Sequence, residues 1–217
     1  MKQSLNEVLG RVKALLVPYL IILCICLVIK LIFSRETIYF TINGINGPVA
    51  DFLAPFVTDL GNGWFAVGMA AVLALFSYRK SLIVATSFAV TSISAQILKY
   101  LFDEPRPQLY FKDQLSRIHF VKGVYILSFN SFPSGHTVTA FALAVIVTYW
   151  IKNKAWAPLF LLIAIFVGYS RMYLSEHFFE DVAAGSVIGV IVTVIWLYWL
   201  DNRTFIHRPK WQKGLLN

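Results

Sequence analysis

Six apolar stretches dominate this 217-residue sequence, and most of them are long enough to cross a lipid bilayer as a helix. A transmembrane helix needs roughly 17–25 mainly apolar residues to span the hydrocarbon core. The stretches run approximately over residues 15–33, 61–77, 81–98, 135–151, 156–169 and 182–200. They predict an all-α, polytopic membrane protein whose six transmembrane helices form one bundle. Serine and threonine are frequent in the third stretch, which predicts contacts with other helices and a central position.

The composition argues against a water-soluble fold. Hydrophobic residues make up 58% and charged residues 14% of the chain, whereas soluble domains carry about 25% charged residues. A soluble domain of this size could not hide so much apolar surface from water. The two cysteines, Cys24 and Cys26, point to different faces of the first predicted helix, so we expect small apolar fillers rather than a disulfide or a metal site.

The distribution of charge predicts the orientation in the membrane. The first stretch is not followed by a small-residue cleavage site, so we expect it to remain as an uncleaved anchor. Six spans place both termini on one side of the membrane. If that side is the cytoplasm, 11 of the 19 basic residues but only 2 of the 11 acidic residues lie on the cytoplasmic side. Positive charge favours the cytoplasmic side. We therefore expect one domain, residues 1–217, in the inner (plasma) membrane, with cytoplasmic tails over residues 1–14 and 201–217.

The net charge of +8 does not indicate a nucleic-acid-binding protein. The basic residues are distributed over several short cytoplasmic segments, whereas a nucleic-acid surface needs them on one face. We interpret the basic segment 203–213 as a topology signal that also contacts anionic lipid headgroups, and we expect Lys30 to reach the membrane interface. Residues 38–59 are semi-polar and contain glycine and proline, which predicts a short interfacial helix or a re-entrant loop between the first two spans.

Three polar segments remain that the topology does not explain. The first follows the third span, the second opens the fourth span, and the third joins the fifth and sixth spans. Counting the predicted crossings places all three at one membrane face, the outer one. Their candidate functional residues are Lys99, Arg106, Ser134, Gly135, His136, Arg171, His177 and Asp181.

The basic members of this set suit a phosphate group. Arg106 and Arg171 carry forked donors that match phosphate oxygens, and Lys99 adds a third cation. Placing three cations at the ends of membrane spans is unfavourable in free energy unless anions lie beside them. Ser134 and Gly135 lie where the fourth span begins, and the N-terminus of a helix is itself a site for anions. We therefore predict that these segments bind phosphate.

The remaining three residues predict catalysis without a metal. His177 and Asp181 are four residues apart on one helix face, so the carboxylate can fix the tautomer and leave the other ring nitrogen as a nucleophile. His136 can then donate a proton to the leaving alkoxide. Phosphate esters hydrolyse very slowly in water, and a phosphohistidine intermediate inside a cage of cations lowers that barrier. Asp103 and Glu104 are adjacent loop acids, which we interpret as solvated rather than as a Mg²⁺ site.

The three segments resemble the signature of the type 2 phosphatidic acid phosphatase family, the membrane branch of a superfamily that includes acid phosphatases and vanadium haloperoxidases. The family's first motif is Lys, six residues and Arg-Pro, and residues 99–107 match it. The second is Pro-Ser-Gly-His, found at residues 133–136. The third is Ser-Arg, five residues, His, three residues and Asp, found at residues 170–181. All three are complete and in order, and the family's six-helix core corresponds to about residues 51–200.

The resemblance implies a metal-independent hydrolase that needs no cofactor and acts on a phosphorylated membrane lipid. His177 would attack phosphorus, Asp181 would orient it, and His136 would protonate the leaving group. The residues that would hold the phosphate oxygens are Lys99, Arg106, Ser134, Gly135 and Arg171. The candidate substrates are undecaprenyl diphosphate, phosphatidic acid, phosphatidylglycerol phosphate and lipid A phosphates.

Two other functions stay open at this point, because the motifs alone do not separate them from hydrolysis. One is a lipid phosphotransferase with the same phosphohistidine chemistry, and the other is a non-catalytic binder of lipid phosphates. The expected partners are the bilayer and its phosphorylated lipid, and the oligomeric state is left open. Within residues 108–130, we expect the loop Tyr110–Lys122 to contribute to headgroup choice, with a solvated outer loop as the alternative.

Overall fold

The computed structural model describes residues 3–216, which form helices and no β-strand. The helices are α1 (Leu5–Ile32), α2 (Arg35–Gly44), α3 (Pro48–Asp59), α4 (Gly63–Phe76), α5 (Tyr78–Phe102), α6 (Pro107–Tyr110), α7 (Gly135–Trp150), α8 (Ala157–Tyr173), α9 (Phe179–Asp201) and α10 (Pro209–Gln212). Short 3₁₀ helices cover Lys112–Arg117, Lys154–Trp156 and Thr204–His207. The predicted all-α class is confirmed.

Each predicted apolar stretch falls largely on one of the long helices α1, α4, α5, α7, α8 and α9. Within the described residues, four helical segments are long and apolar enough to cross a membrane: Leu5–Ile32, Tyr78–Tyr110, Lys154–Tyr173 and Phe179–Asp201. Helices α3 and α4 meet that requirement only together, as a pair bent by 52°. Helix α7 is a shorter apolar helix of 16 residues. The chain is therefore a helical membrane protein, and the count of six spans stays a prediction.

The centre of the bundle is α7 and not α5 as predicted. Twelve of the 16 residues of α7 are buried, whereas α5 buries five of its 25. The buried part of α5 does include hydroxyl groups, since Ser87 and Thr91 face the interior and Thr91 donates to the Ser87 carbonyl at 2.8 Å. Alanines along α7 let its neighbours α1, α5, α8 and α9 approach from several sides.

Two glycines of α9 bring its backbone against that of α7. A Cβ atom on Gly185 would lie 2.7 Å from the carbonyl oxygen of Ser134, and one on Gly189 would lie 2.5 Å from that of Val138. Only glycine permits so close an approach. At the same contact, the Ser134 N–H donates to the carbonyl of Asp181 at 3.0 Å. The first turns of α7 and α9 are therefore held side by side.

The predicted interfacial segment forms α2 and α3. Asn43 at the end of α2 joins the loop after α6, because its Nδ2 donates to the His119 carbonyl at 2.9 Å and its Oδ1 accepts from the His119 N–H at 2.8 Å. The Tyr39 hydroxyl donates to Ser175 Oγ at 2.9 Å. These bonds attach α2 to the end of the bundle that carries the polar segments. A location at the membrane surface stays a prediction.

The start of the described chain meets the end of α9 at the opposite end of the bundle. The Gln3 N–H donates to Asn202 Oδ1 at 2.7 Å, while the Tyr149 hydroxyl and the Arg79 guanidinium both donate to the Asp201 carboxylate, the latter at 2.6 Å. Helix α1 begins ten residues before the predicted stretch, because Ser4 and Glu7 form a capping box in front of Leu5. Residues 5–14 thus belong to a helix.

Candidate active site

One cavity of about 460 Å³ collects side chains from all three polar segments. It lies where α5 and α8 end, where α7 begins, and at the turn between α8 and α9. The predicted residues on its wall are Lys99, Arg106, Gly135, His136, Arg171 and His177. The other two, Ser134 and Asp181, are buried next to the cavity and do not line it.

His177 lies in the turn between α8 and α9 and is only 2% exposed. Its Nδ1 is 3.5 Å from Asp181 Oδ2, which is longer than a hydrogen bond, and in the described chain Nδ1 has no hydrogen-bond partner. The predicted pair is thus a close contact without the predicted orienting hydrogen bond. Burial, reinforced by three nearby cations, holds the pKa of His177 well below its ordinary 6.5. The ring is therefore neutral at physiological pH, as a nucleophile requires.

The Asp181 carboxylate is held by two donors. Its Oδ2 accepts from Ser131 Oγ at 2.5 Å and from the Phe178 N–H at 2.8 Å, and the second bond caps α9. Ser131 is fully buried. The sequence analysis did not single it out, although it stands only two residues before the Pro-Ser-Gly-His motif. Ser131 is therefore a further residue that holds Asp181 beside His177.

His136 lies on the first turn of α7, half-buried on the cavity wall. Its carbonyl faces the α3–α4 bend so closely that a Cβ atom on Gly61 would lie 2.5 Å from the carbonyl oxygen. Because α7 is also held against α9, the position of His136 is constrained from two sides. His136 and His177 thus border the same cavity.

Lys99 and Arg106 are both held by the loop segment that precedes α7. Lys99 Nζ donates to the Asn130 carbonyl at 2.5 Å. The Arg106 backbone N–H donates to the Ser128 carbonyl at 2.8 Å, and its Nε donates to the Phe129 carbonyl at 2.9 Å. Backbone carbonyls thus hold the charged groups of both side chains, and both residues line the cavity.

A buried carboxylate that the sequence analysis missed lies between the two arginines. Glu176 is 4% exposed, and its Oε2 accepts a hydrogen bond from Arg106 Nη1. Arg171 Nη2 is 3.4 Å from the same oxygen, and Arg171 Nη1 donates to Thr58 Oγ1 at 2.7 Å. Glu176 belongs to no periodic pattern, and it falls at one of the five unspecified positions of the third motif. No signal in the sequence could have found it.

The start of α7 differs from the prediction in one respect. Ser134 Oγ accepts from Thr137 Oγ1 at 2.9 Å, and the Ser134 N–H donates to the Asp181 carbonyl. Both groups are directed into the protein, so Ser134 is not on the cavity wall as a phosphate ligand would be. Gly135 is on the wall, and a Cβ atom added there would meet no heavy atom within 4 Å. The space in front of this helix end is therefore open.

Comparison with known proteins identifies the family. The model of the PAP2 superfamily matches residues 80–205, the part of the chain that carries all three polar segments. The chain belongs to the PAP2 superfamily. The resemblance predicted from the three motifs, to the type 2 phosphatidic acid phosphatases, is thereby confirmed.

Relatives of this PAP2 chain include named phosphatases. Lipid A 4′-phosphatase of Porphyromonas gingivalis is 27% identical over 169 residues, which are 73% of this chain and 69% of that protein. Bacitracin transport permease protein BcrC of Bacillus licheniformis is 36% identical over 80 residues, and the match spans only 38% of that protein. The crystal structure of LpxE from Aquifex aeolicus is similar with a TM-score of 0.66 and 27% identity, covering 75% of this chain and 93% of that one. The predicted enzyme class, a phosphatase, is confirmed.

A second charged cluster lies beside the PAP2 cavity and outside it. Lys30 Nζ is 3.1 Å and Arg35 Nε 2.5 Å from the same oxygen, Oε1 of Glu180 at the start of α9. Glu104, predicted to be solvated, lies 3.8 Å from Arg35 Nη1. In residues 3–216, no group of three or more His, Cys, Asp or Glu side chains is arranged to hold a metal ion. Metal independence of this PAP2 chain stays a prediction.

The long loop of the PAP2 chain reaches the cavity with residues other than those predicted. Its residues on the wall are Val124, Tyr125 and Leu127. The predicted headgroup loop, residues 110–122, instead attaches this region to the bundle. Phe111 is buried in an aromatic cluster, and His119 Nε2 is 2.8 Å from Asp51 Oδ1. The part of the loop on the cavity wall therefore follows residue 122, and a role in headgroup choice stays a prediction.

Proposed function

We propose that this PAP2 chain hydrolyses a phosphate monoester or diphosphate of a membrane lipid, through a phosphohistidine intermediate and without a metal. The observation that carries the proposal is that His136 and His177 border one cavity together with three cations, Lys99, Arg106 and Arg171. A nucleophile, a proton donor and fixed positive charges are what phosphoryl transfer to a side chain needs.

The reaction has two steps. In the first, Nε2 of His177 attacks phosphorus, and the bond from phosphorus to the leaving oxygen breaks. That oxygen belongs to the lipid alcohol in a monoester and to the inner phosphate in a diphosphate, and it takes a proton from His136. His136 enters this step protonated, a state that the negative charge of a bound phosphate favours. In the second step, water attacks phosphorus, His136 takes a proton of the water, the bond between phosphorus and His177 Nε2 breaks, and inorganic phosphate leaves. The Asp181 carboxylate stabilises the positive charge that develops on the His177 ring, which it approaches to 3.5 Å.

The position of the cavity in the bundle supports a lipid substrate at the outer membrane face. The cavity lies at the end opposite to the contact between Gln3 and Asn202. Basic residues are concentrated at the end of the bundle where Gln3 and Asn202 meet. This supports cytoplasmic termini and an active site at the outer face of the inner (plasma) membrane. A membrane lipid presents its phosphate at this level. The candidates are undecaprenyl diphosphate, phosphatidic acid, phosphatidylglycerol phosphate and lipid A, and the relative named lipid A 4′-phosphatase supports the last.

Phosphate release by the purified, detergent-solubilised protein tests the proposal. We would offer prenyl diphosphates, glycerophospholipid phosphates and lipid A with water as the acceptor. Inorganic phosphate should be released from at least one of them, which a transferase that requires a second lipid would not do. EDTA should leave the rate unchanged and vanadate, which mimics five-coordinate phosphorus, should inhibit. A strict requirement for Mg²⁺ would contradict the proposed mechanism.

Histidine variants test the assignment of roles. His177→Ala and His136→Ala should each reduce turnover to background while the protein remains folded. His207→Ala is the matched control, because this ring lies at the other end of the bundle and bonds to the Asp201 carbonyl at 2.7 Å. The control should keep wild-type activity. Turnover retained by His177→Ala would reassign the nucleophile.

A further inference from the structure

Glu176 lies on the cavity wall, where its carboxylate contacts two of the three cations. One oxygen, Oε2, accepts from Arg106 Nη1 and lies 3.4 Å from Arg171 Nη2. Glu176, Arg106 and Arg171 are 4%, 5% and 6% exposed, so water competes little for these contacts. Two guanidinium groups directed at one oxygen are the arrangement that binds phosphate. The substrate and Glu176 therefore require the same donors.

The charges of the cavity lead to the same conclusion. Its wall carries three cations, and these are already matched by the carboxylates of Glu176, the buried Asp181 and Asp59, the last an exposed residue on the wall. The neutral His177 adds no charge. With His136 protonated, a phosphate dianion that joined all three carboxylates would leave the site with one excess negative charge, which is costly beside buried side chains. Release of Glu176 from the arginines reduces that excess at the place where the phosphate binds.

The surroundings of Glu176 allow the side chain to move without the backbone. The Glu176 N–H donates to the Arg171 carbonyl at 3.0 Å, which attaches the turn to the end of α8. Arg171 also keeps its hydrogen bond to Thr58, so it stays in place without Glu176. In the described chain, the buried Nε of Arg171 has no hydrogen-bond partner. A donor is thus available to a further oxygen of an incoming phosphate.

We propose that Glu176 is a positioning residue whose carboxylate holds Arg106 and Arg171 in the empty site and is displaced from them by the phosphate group of the substrate. The inference rests on the proposed function, since it concerns the phosphate of that reaction. The exchange replaces one anion by another on the same donors and involves no covalent change. Because Glu176 competes for the arginines, every phosphate group, including the product, binds with a lower affinity than it would without this carboxylate. Inorganic phosphate therefore leaves the cation-rich site readily.

Binding of inorganic phosphate to the purified protein tests this inference without relying on turnover. Glu176→Gln removes the charge and keeps the size of the side chain. The affinity for phosphate, measured by calorimetry in detergent, should rise about tenfold or more, because a charged competitor for two arginines is lost. In turnover assays, the KM for the lipid and the inhibition constant of phosphate should fall together, while kcat does not rise.

Two further variants complete the experiment. Glu176→Asp keeps the charge but withdraws it by one methylene, so it should show a smaller rise in phosphate affinity even if Glu176→Gln does not fold. Glu180→Gln is the matched control, because this carboxylate pairs with Lys30 and Arg35 outside the cavity. Its phosphate affinity should equal that of the wild type.

The outcomes separate this inference from the proposed function. A phosphate affinity that falls or stays unchanged in the folded Glu176 variants would overturn the inference and would mean that Glu176 only orients the arginines. A protein that binds phosphate as expected but releases none from any lipid would overturn the proposed function and leave the role of Glu176 intact.

Discussion

Replacing Ser131 by alanine should slow catalysis, although Ser131 does not border the cavity. Its hydroxyl donates to Asp181 Oδ2 at 2.5 Å, and the two side chains are 0% and 1% exposed. The same oxygen lies 3.5 Å from His177 Nδ1, and its other donor is the Phe178 N–H at 2.8 Å. Alanine would leave the carboxylate with one of its two donors, so that Asp181 is held less firmly against His177.

The size of the effect follows from the charge on Asp181. A hydrogen bond to a charged group contributes about 1.5–3 kcal/mol, and about 1.4 kcal/mol corresponds to a factor of ten in rate. The contribution of Asp181 grows as the His177 ring becomes positive in the transition state. The loss should therefore appear in kcat, as a decrease of roughly ten- to a hundredfold. KM should change little, because the substitution leaves the three cations of the wall in place.

Initial rates of phosphate release give kcat and KM for this comparison. Ser186→Ala is the matched control, since Ser186 is also buried, at 5% exposure, but its hydroxyl donates to the Ala183 carbonyl of its own helix at 2.7 Å. The control should stay close to the wild-type kcat. Wild-type kcat in a folded Ser131→Ala protein would refute the reasoning that Asp181 acts through its hydrogen-bonded position.

Three further predictions concern packing, protonation and orientation. Gly185→Ala should destabilise the protein by about 1–3 kcal/mol in thermal unfolding, because its Cβ would lie 2.7 Å from a backbone oxygen of α7; Gly10→Ala, with no heavy atom within 4 Å, should not. The pKa of the His177 ring lies well below 6.5, so the neutral, reactive ring should persist as the pH falls through 6.5. NMR of labelled histidines measures the protonation state, and a His177 ring that is protonated at pH 6.5 would contradict the prediction. A cysteine at the exposed position Lys112, with both native cysteines replaced, should react with an impermeant maleimide on intact cells; labelling only after permeabilisation would reverse the orientation.

The helices were predictable because burial in lipid requires long apolar runs, but their arrangement was not. Hydroxyl groups on α5 indicated contacts with other helices, and Thr86 makes one, because Trp196 Nε1 of α9 donates to its Oγ1 at 2.9 Å. Composition does not tell which apolar helix faces lipid and which faces protein, and the mainly apolar α7 proved to be the central one. The start of α1 was readable in principle, since Ser4 and Glu7 have the spacing of a capping box.

The meeting of the three motif segments followed from counting membrane crossings, which needs no knowledge of packing. Ser131 and Glu176 could not be found in this way. The hydrogen bond of Ser131 to Asp181 spans 50 residues and that of Arg106 to Glu176 spans 70. Periodicity reports only on neighbours within one helix, and each of these contacts depends on a single side chain. The inward direction of Ser134 was hidden for the same reason, because its partners lie on both α7 and α9.

The glycine contact between α7 and α9 has a mechanical consequence for the two histidines. Helices that touch through side chains can adjust their separation by changing rotamers, but main chains in direct contact have no such slack. The spacing between His177 and His136, the proposed nucleophile and proton donor, is therefore set by the polypeptide backbone itself. Thermal motion of the surrounding lipid and of the long loop can alter access to this site while the spacing of its reacting groups is preserved.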